Sequence, residues 1–441
     1  MRAAVLHAPQ QQQNLSQARR LGPHRAPRDL VAAPLAVARA ARPVAAAATR
    51  ALTAPLPSPS LNHRRRRSAA IMATATATTT PITTTITTSS DWARAHCPPD
   101  HADSLPALLA AIEAACRRIS SRVQRAGIEG LHGYSSGSAT NASGDAQKKL
   151  DVLSDEIFAA GLESSGLVRC YASEEAEQPV VLSTSSRARY VVAFDPLDGS
   201  RNVDVAIPTG TIFGVYESKA WRRQASSSSS SSSSYGPADA LNDVLQPGSR
   251  QLASGYCLYS SAVVLALAMR TDDDDNTTTP TTTAAAFSLD TLTGDFVATH
   301  APLLCPTRGQ IYSLNDARFD DWPAGLQRYI QDVRSGRGQT AKQYSARYVC
   351  SLVADLHRTL LQGGWCGNPR SHLRMLYEGN PLAFLVEAAG GSASDGQRRV
   401  LEIQPGETHQ RLPLFLGSRE DVAELEGYGD VQQTGAKKYT V

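Results

Sequence analysis

Residues 190–204 read Tyr-Val-Val-Ala-Phe-Asp-Pro-Leu-Asp-Gly-Ser-Arg-Asn-Val-Asp, and this stretch decides the fold class. It begins with apolar, β-branched and aromatic residues, which predict a buried strand. It ends in two carboxylates, Asp195 and Asp198, with Pro196 stiffening the backbone between them. Carboxylate oxygens are the ligands that Mg²⁺ prefers, and the N–H groups of a turn at Gly199 can bind a phosphate. The stretch therefore predicts a metal site beside a phosphate site, with an ordinary strand and an acidic turn as the alternative.

A second acidic strand end precedes this one. Residues 170–175 read Cys-Tyr-Ala-Ser-Glu-Glu, an apolar run that closes on Glu174 and Glu175. A Glu pair alone is more often a solvated surface than a set of metal ligands. Two acidic strand ends within about thirty residues of each other favour a shared cluster of metal ligands.

The overall composition is that of a soluble globular protein, with 41% hydrophobic and 19% charged residues over 441 positions. This length allows two domains, and no apolar run approaches the roughly 20 residues of a membrane span. Residues 1–70 contain twelve Arg and one acid, a local charge of +11, so the net charge of +3 leaves −8 for the remainder. A mildly acidic body argues against nucleic-acid binding and suits a metal-dependent enzyme. We expect neither a nucleic-acid nor a membrane partner.

The N-terminal segment differs from the rest of the chain. Residues 1–72 are rich in Ala, Arg, Pro, Gln and Ser and contain no Lys, which is typical of an organelle transit peptide. A nuclear-localisation signal at Arg64–Arg67 is the alternative. We predict a transit peptide over 1–72 and a disordered linker over 73–91. The folded body then begins near Trp92, with an N-terminal metal-binding half over 92–300 and a C-terminal substrate-binding half over 301–441.

The chain also contains two low-complexity segments and seven cysteines. The nine consecutive serines Ser226–Ser234 and the Asp- and Thr-rich run Thr271–Thr283 are interpreted as solvated surface loops. The seven cysteines are odd in number, scattered and without a C-x-x-C pair. They predict reduced thiols, with neither a disulfide framework nor a zinc site.

The C-terminal part of the chain predicts alternating strands and helices. An amphipathic helix is expected over Tyr348–Leu361, closed by a glycine pair. A second helix is expected to begin with Asn380 as its N-cap and Pro381 as its first residue, just after Glu378.

Six ordered motifs identify a family. They are Gly144-Asp145 with Lys148-Lys149-Leu150-Asp151, Ser173-Glu174-Glu175, Asp195-Pro196-Leu197-Asp198-Gly199-Ser200, Tyr312-Ser313-Leu314-Asn315, Ala346-Arg347-Tyr348, and Leu376-Tyr377-Glu378 with Asn380-Pro381. Over residues 108 to 428 the chain resembles fructose-1,6-bisphosphatase. The spellings after Gly199, Asn315 and Glu378 are similar to the chloroplast form that lacks the redox-regulatory cysteine loop.

The resemblance implies an α/β fold, the layered α/β/α sugar-phosphatase fold that this family shares with inositol monophosphatase. It implies a homotetramer in the chloroplast stroma with several Mg²⁺ ions per subunit. The implied reaction is hydrolysis of the 1-phosphate of fructose 1,6-bisphosphate to fructose 6-phosphate and phosphate, in the Calvin cycle or gluconeogenesis. Sedoheptulose 1,7-bisphosphate or another sugar bisphosphate is the alternative substrate. An inositol-phosphate phosphatase and a non-catalytic sugar-phosphate sensor are more distant alternatives.

The resemblance also implies roles for single residues. Those implied for Mg²⁺ are Glu174, Asp195, Asp198, Glu378 and the Leu197 carbonyl, with Glu175 and Asp145 for a further metal. Asp151, Glu175 and Asp145, the last on a mobile loop, are the implied catalytic residues, of which Asp151 and Glu175 help to activate the attacking water. Those implied for substrate are the Gly199 and Ser200 amides for the 1-phosphoryl group and Asn315, Arg347 and Tyr348 for the 6-phosphate. His372 and Arg374 are further implied substrate-binding residues. In this family the Arg corresponding to Arg347 comes from the neighbouring subunit.

The chain departs from the common enzyme at several of these positions. Arg318 and Asn368 stand where that enzyme has Tyr in the 6-phosphate pocket, and His372 stands where it has Lys. These changes bear on sugar specificity more than on the type of reaction. The segment before Ser104 also lacks the turn that binds AMP in the common enzyme, where only Arg189-Tyr190 is similar.

Overall fold

The computed structural model of this chain describes residues 87–134, 147–226, 235–272 and 281–433. The predicted transit peptide, most of the predicted linker, Asp145 and the greater part of both low-complexity segments lie outside these residues. The helices are α1 Ser89–His96, α2 Leu105–Arg125, α3 Lys149–Ser165, α4 Lys219–Ser226, α5 Pro237–Val244, α6 Ala324–Ser335, α7 Leu352–Gln362, α8 Asn380–Ala388 and α9 Arg419–Glu426. The strands are β1 Val168–Ser173, β2 Val180–Val181, β3 Tyr190–Asp198, β4 Thr209–Glu217, β5 Gln251–Tyr259, β6 Val263–Arg270, β7 Thr282–Leu289, β8 Phe296–His300, β9 Ile311–Ser313, β10 Ser345–Ala346, β11 Trp365–Arg374, β12 Ser392–Ser394 and β13 Arg411–Gly417.

The strands form two sheets. The first has eight strands in the order β2-β1-β3-β4-β5-β6-β7-β8, in which β1 and β3 are parallel and the other neighbours are antiparallel. The second has five strands in the order β10-β9-β11-β13-β12. Helices α1 to α3 cover one face of the first sheet, α7 and α8 pack between the sheets, and α6 and α9 cover the outer face of the second. The predicted layered α/β/α fold is confirmed, and the second sheet extends it to five layers.

Strand β3 is buried along its whole length. Val192 and Phe194 pack toward α2 and α3, whereas Val191 and Ala193 lie on the opposite face. Because side chains alternate along a strand, Asp195 follows Ala193 onto that opposite face. The pairing register with β4 shifts between Asp195 and Asp198, around Pro196, which cannot donate a ladder hydrogen bond. The bulge lets two carboxylates three positions apart approach one another.

Helix boundaries differ from the predicted ones at two places. The folded body begins before Trp92, because Thr88 and Asp91 form a capping box that starts α1 at Ser89. Helix α7 begins at Leu352 rather than at Tyr348, because Ser351 is its N-cap and accepts a hydrogen bond from the Ala354 N–H.

The prediction that Asn380 is an N-cap is wrong. Residues Met375–Gly379 form one π-helical turn that continues directly into α8, and Asn380 has helical φ and ψ. A π-turn places one extra residue in the turn and is frequent at functional sites. Glu378 therefore lies inside a continuous helical segment rather than in the loop ahead of one.

All seven cysteines lie within the described residues and are free thiols, as predicted. Five of them are buried, Cys97 is partly buried and Cys350 is exposed. Among the described residues, none of the helices combines the length and the apolar character that a membrane span requires.

Candidate active site

Three buried carboxylates from two separate parts of the chain meet at the end of β3. Asp195 and Asp198 come from β3, and Glu378 comes from the π-turn ahead of α8. One oxygen of each lies within 4.8 Å of the others. The three side chains were predicted as metal ligands, and the structure brings them together.

Backbone and side-chain donors orient the two aspartates. Asp195 Oδ1 accepts a hydrogen bond from the Leu197 N–H at 2.9 Å, which fixes its rotamer. Asp198 Oδ2 accepts from the Ser351 hydroxyl at 2.9 Å and from the Val353 N–H at 3.0 Å. The N-terminus of α7 thus points at Asp198, where its partial positive charge stabilises a carboxylate. The role of Ser351 was not predicted, although a Ser ahead of a helical pattern is a recognisable N-cap signal.

Arg374 connects two of the predicted ligands. Its guanidinium lies 2.8 Å from Glu174 Oε1, and its backbone N–H donates to Glu378 Oε2. The side chain is only 8% exposed, so this ion pair lies largely inside the protein. Arg374 was predicted to bind substrate, and the structure places it against the carboxylates of the metal cluster.

Asp151 and Glu175 lie beside this cluster. Asp151 Oδ2 accepts from the Lys148 N–H at 3.0 Å at the start of α3, while its buried Oδ1 has no hydrogen-bond partner among the described residues. Glu175 Oε2 accepts from the Gln147 amide at 2.5 Å. Burial raises the pKa of Asp151 to about 6, and burial together with the Asp151 charge raises the pKa of Glu175 to about 8. Both groups can therefore exchange a proton near neutral pH.

The electrostatics of the cluster fit a bound cation. Burial raises the pKa values of Asp195, Asp198 and Glu378, and Glu174 raises each of them further. Like charges at such separations oppose one another in a buried site unless a positive charge is present. All the donor atoms are oxygens, which suits a hard divalent cation. The residues present therefore fit a metal ion.

A tight turn follows the cluster. Gly199 has φ 75°, a left-handed conformation that favours glycine, and a short 3₁₀ helix over Ser200–Val205 follows it. A Cβ on Gly199 would also lie 3.1 Å from Cβ of Ser351, the residue that holds Asp198. Glycine is therefore required here both by conformation and by the close approach of α7.

A separate pocket lies between β11 and the segment after β9. It contains about 280 Å³ of empty space, counting its open mouth. The polar residues that line it are Asn315, Arg318, Tyr348, Asn368 and Arg370. The structure thus brings the predicted Asn315 and Tyr348 together with Arg318 and Asn368, the two departures from the family pattern. Arg370 was not predicted.

Besides Arg374, two other predicted substrate residues of the C-terminal half do not line this pocket. Arg347 is exposed and donates to the Ala346 carbonyl at 2.8 Å, while its own carbonyl accepts from Arg358 at 2.7 Å. His372 is exposed on β11. Another predicted site residue, Asp145, lies outside the described residues.

Comparison with known proteins identifies the family. The N-terminal domain model of fructose-1,6-bisphosphatase matches residues 88–301, and the C-terminal domain model matches residues 305–430. The chain is 44% identical to a chloroplastic fructose-1,6-bisphosphatase of Brassica napus over 330 residues, covering 74% of this chain and 77% of that protein. A chloroplastic relative of Arabidopsis thaliana, fructose-1,6-bisphosphatase 1, is also 44% identical over 330 residues, covering 74% of this chain and 76% of that protein.

A solved structure agrees with these matches. The crystal structure of Leishmania major fructose-1,6-bisphosphatase in its holo form superposes with a TM-score of 0.68 and 33% identity. The superposition covers 78% of this chain and 99% of that chain. The sequence, the two sheets and the carboxylate cluster lead to one conclusion: this chain belongs to the fructose-1,6-bisphosphatase family.

Proposed function

We propose that this chain hydrolyses the 1-phosphate of fructose 1,6-bisphosphate to fructose 6-phosphate and phosphate, with Mg²⁺ as its cofactor. The observation that carries the proposal is the buried cluster of Asp195, Asp198 and Glu378 immediately beside the Gly199 turn. Relatives that are 44% identical over 74% of the chain are named as this enzyme.

Several Mg²⁺ ions per subunit fit the distribution of the carboxylates. Glu174, Asp195, Asp198, Glu378 and the Leu197 carbonyl would hold the ions at the cluster, and Glu175 with Asp145 would hold a further one. When bound, such ions acidify a coordinated water and neutralise charge on the phosphoryl oxygens.

Asp151 and Glu175 are the proposed proton acceptors. Asp151 Oδ1 is buried and has no hydrogen-bond partner in the part of the chain that the structure describes, so it can take the proton of the attacking water. Its raised pKa, about 6, makes that transfer more favourable than for an ordinary carboxylate. Glu175 adjoins it and would share the proton.

Two phosphate sites would align the substrate. The Gly199 and Ser200 amides would hold the 1-phosphoryl group beside the carboxylates, as turn N–H groups do in other phosphate sites. Asn315 and Tyr348 would hold the other phosphate, and His372 and Arg374 would complete substrate binding. The guanidinium groups of Arg318 and Arg370 can donate paired hydrogen bonds to a phosphate in that pocket.

The assembly proposed is a homotetramer in which Arg347 acts on a neighbouring subunit. This agrees with its position, because Arg347 is exposed and does not line the pocket of its own chain. Mixing inactive Arg347→Ala and Asp198→Asn subunits would test it, because mixed tetramers contain some intact composite sites. Return of activity supports the arrangement, and its absence from mixed tetramers verified by mass would contradict it.

The location proposed is the chloroplast stroma, with residues 1–72 as a transit peptide and a role in the Calvin cycle or gluconeogenesis. The composition of that segment and the chloroplastic relatives support the proposal. We also propose that 92–300 supplies most metal ligands and 301–441 most substrate contacts, with Glu378 as the exception.

A substrate panel tests the activity directly. The purified protein is incubated with fructose 1,6-bisphosphate, sedoheptulose 1,7-bisphosphate or inositol monophosphate, each with Mg²⁺ or with a chelator. We expect phosphate release to be fastest from fructose 1,6-bisphosphate and to stop in chelator. Faster release from the seven-carbon sugar, or release that survives chelation, would overturn the proposal.

A further inference from the structure

The imidazole of His409 joins two segments that each carry a predicted metal ligand, Glu378 in the one and Glu174 in the other. His409 lies just ahead of β13, in a loop held by the hydrogen bond from the Met375 N–H to the Gln410 carbonyl at 2.7 Å. Its Nδ1 lies 2.7 Å from the Tyr377 hydroxyl, and the two ring centroids are 5.9 Å apart in an edge-to-face arrangement. Its Nε2 lies 3.2 Å from the carbonyl oxygen of Glu177.

The partners of the ring decide where its proton lies. A carbonyl oxygen can only accept a hydrogen bond, so Nε2 of His409 carries the hydrogen and donates it to Glu177. Nδ1 of the neutral ring is then an acceptor, and the Tyr377 hydroxyl donates to it. Both hydrogen bonds are therefore donated in the same direction. Tyr377 donates to the His409 ring, and the ring donates to the backbone of the segment 174–178.

The two segments belong to different sheets. Tyr377 is fully buried and directly precedes Glu378 in the turn that follows β11 of the second sheet. Glu177 lies three residues after Glu174, in the segment that continues β1 of the first sheet. The separation of Glu174 from Glu378 therefore depends on contacts between the sheets. The Arg374–Glu174 ion pair is one such contact, and the His409 bridge is a second.

We propose that His409 is a positioning residue that holds Glu174 and Glu378 at the separation a bound metal ion requires. The inference rests on the proposed metal-dependent function. Mg²⁺ demands near-ideal octahedral geometry, so small ligand displacements are costly. Loss of a hydrogen-bond partner directly behind a ligand costs about 10- to 100-fold in metal affinity. His409 acts less directly, through the chain segments that carry the ligands. We therefore expect its loss to weaken metal affinity by about three- to tenfold.

Metal binding without substrate tests the proposal. Free Mn²⁺ is measured by electron paramagnetic resonance as it is titrated into the metal-free full-length protein. His409→Leu removes both hydrogen bonds, and Tyr377→Phe removes one. Both variants should weaken Mn²⁺ binding, the first by about three- to tenfold. His409→Gln keeps one donor and one acceptor, so it should bind Mn²⁺ within about twofold of the unaltered protein.

The chain offers a matched control pair. The hydroxyl of Tyr256, also fully buried, lies 2.7 Å from Nδ1 of His357, with ring centroids again 5.9 Å apart. Neither residue lies in a chain segment that contains a predicted ligand, and His357 lies four residues beyond Val353, the residue of α7 whose N–H donates to Asp198. Tyr256→Phe therefore removes the same kind of bond and should lower the melting temperature by a similar amount, while Mn²⁺ affinity stays unchanged.

A double variant tests whether His409 and Tyr377 act through the same hydrogen bond. His409→Leu and Tyr377→Phe share one hydrogen bond, so their effects on affinity should combine to less than the sum. Unchanged Mn²⁺ affinity in folded Tyr377→Phe and His409→Leu, or equal weakening in Tyr256→Phe, would overturn the proposal. Failure of the proposed reaction would be seen separately, as absent phosphate release by a protein that still binds Mn²⁺ in this His409-dependent way.

Discussion

Asp198 is the residue on which the proposed chemistry depends most directly. In Asp198→Asn the remaining carbonyl oxygen can still accept from Ser351 and the Val353 N–H, so the local fold should persist. The charged oxygen needed for a hard cation is lost at nearly constant volume. We expect Mg²⁺-dependent phosphate release to fall by at least about 100-fold, with little change in circular dichroism. A variant that keeps most of its activity at saturating Mg²⁺ would contradict the assignment.

The protonation of the carboxylates predicts a pH dependence for the metal-free protein. Burial raises the folded-state pKa values of Asp151, to about 6, and of Glu175, to about 8, above those of the unfolded chain. The folded state therefore binds more protons than the unfolded state, and stability falls as pH rises through this range. The melting temperature in chelator should decrease from pH 5 to pH 8, and saturating Mg²⁺ should reduce that slope. A chelated protein that gains stability over this interval would refute the account.

At the scale of single residues, the sequence predicted those site residues that form a local pattern. Asp195 and Asp198 were recognisable because both follow an apolar strand and a proline separates them. The contacts that orient them were not, since Ser351 lies 153 positions from Asp198. The role of His409 was still harder to predict, because its partners lie 32 and 232 positions away and a single histidine forms no recognisable sequence pattern.

The serine run Ser226–Ser234 is an element that should contribute little to stability. Helix α4 ends at Ser226, and the next described residue is Tyr235, whose hydroxyl lies 3.0 Å from Asp243. Removing five of the intervening serines changes loop-closure entropy by well under about 1 kcal/mol. Activity and melting temperature should stay nearly constant.

The control for this deletion is Tyr235→Phe. It removes a buried hydroxyl that contacts both Asp243 and the Cys170 thiol, so it should lower the melting temperature distinctly. A large loss of activity on serine deletion would instead show that the run contributes to the site.

Boundaries of elements were less predictable than their existence. Helix α7 was expected four residues too early because Tyr348 and Val349 continue the apolar pattern, whereas the Ser351 cap decides the start. The π-turn at Met375–Gly379 replaced an expected loop, since Asn-Pro is equally compatible with a helix that is already under way. Only tertiary packing distinguishes these alternatives.

For the whole molecule, the distribution of thiols predicts activity that is independent of redox state. The loop between β4 and β5, residues 218–250, contains no cysteine, and five of the seven thiols are buried. Burial also raises the pKa of Cys170 to about 12, so its reactive thiolate is scarce. Activity should be equal after mild oxidation and after incubation with reduced thioredoxin. A several-fold rise that a Cys→Ser variant abolishes would reveal a redox switch.

The lack of the family's AMP-binding turn before Ser104 predicts weak inhibition by AMP, and the structure supplies a second reason. The Arg189 guanidinium already donates to Glu217 and to the Asp100 carbonyl, and it stacks 4.5 Å from the Trp221 ring. A nucleotide phosphate would have to displace these partners. AMP should therefore inhibit weakly or not at all in a titration at fixed substrate. Strong inhibition that substrate does not relieve would contradict this.

The layered architecture followed from the sequence because alternating patterns and six spaced motifs constrain a whole chain. The sequence did not predict that both sheets contribute to one carboxylate cluster, since no local pattern relates β3 to the turn at Glu378. Packing of the whole core brings these residues together, although they are far apart in sequence.

The division of the predicted ligands between two segments of the chain has a practical consequence. Asp195 and Asp198 lie in the segment 88–301, and Glu378 lies in the segment 305–430. A gene divided between codons 301 and 305 would encode two fragments, each with only part of the ligand set. Phosphate release would resume only where the fragments reassemble, so fusing each to a different binding partner would turn this enzyme into a catalytic reporter of their encounter.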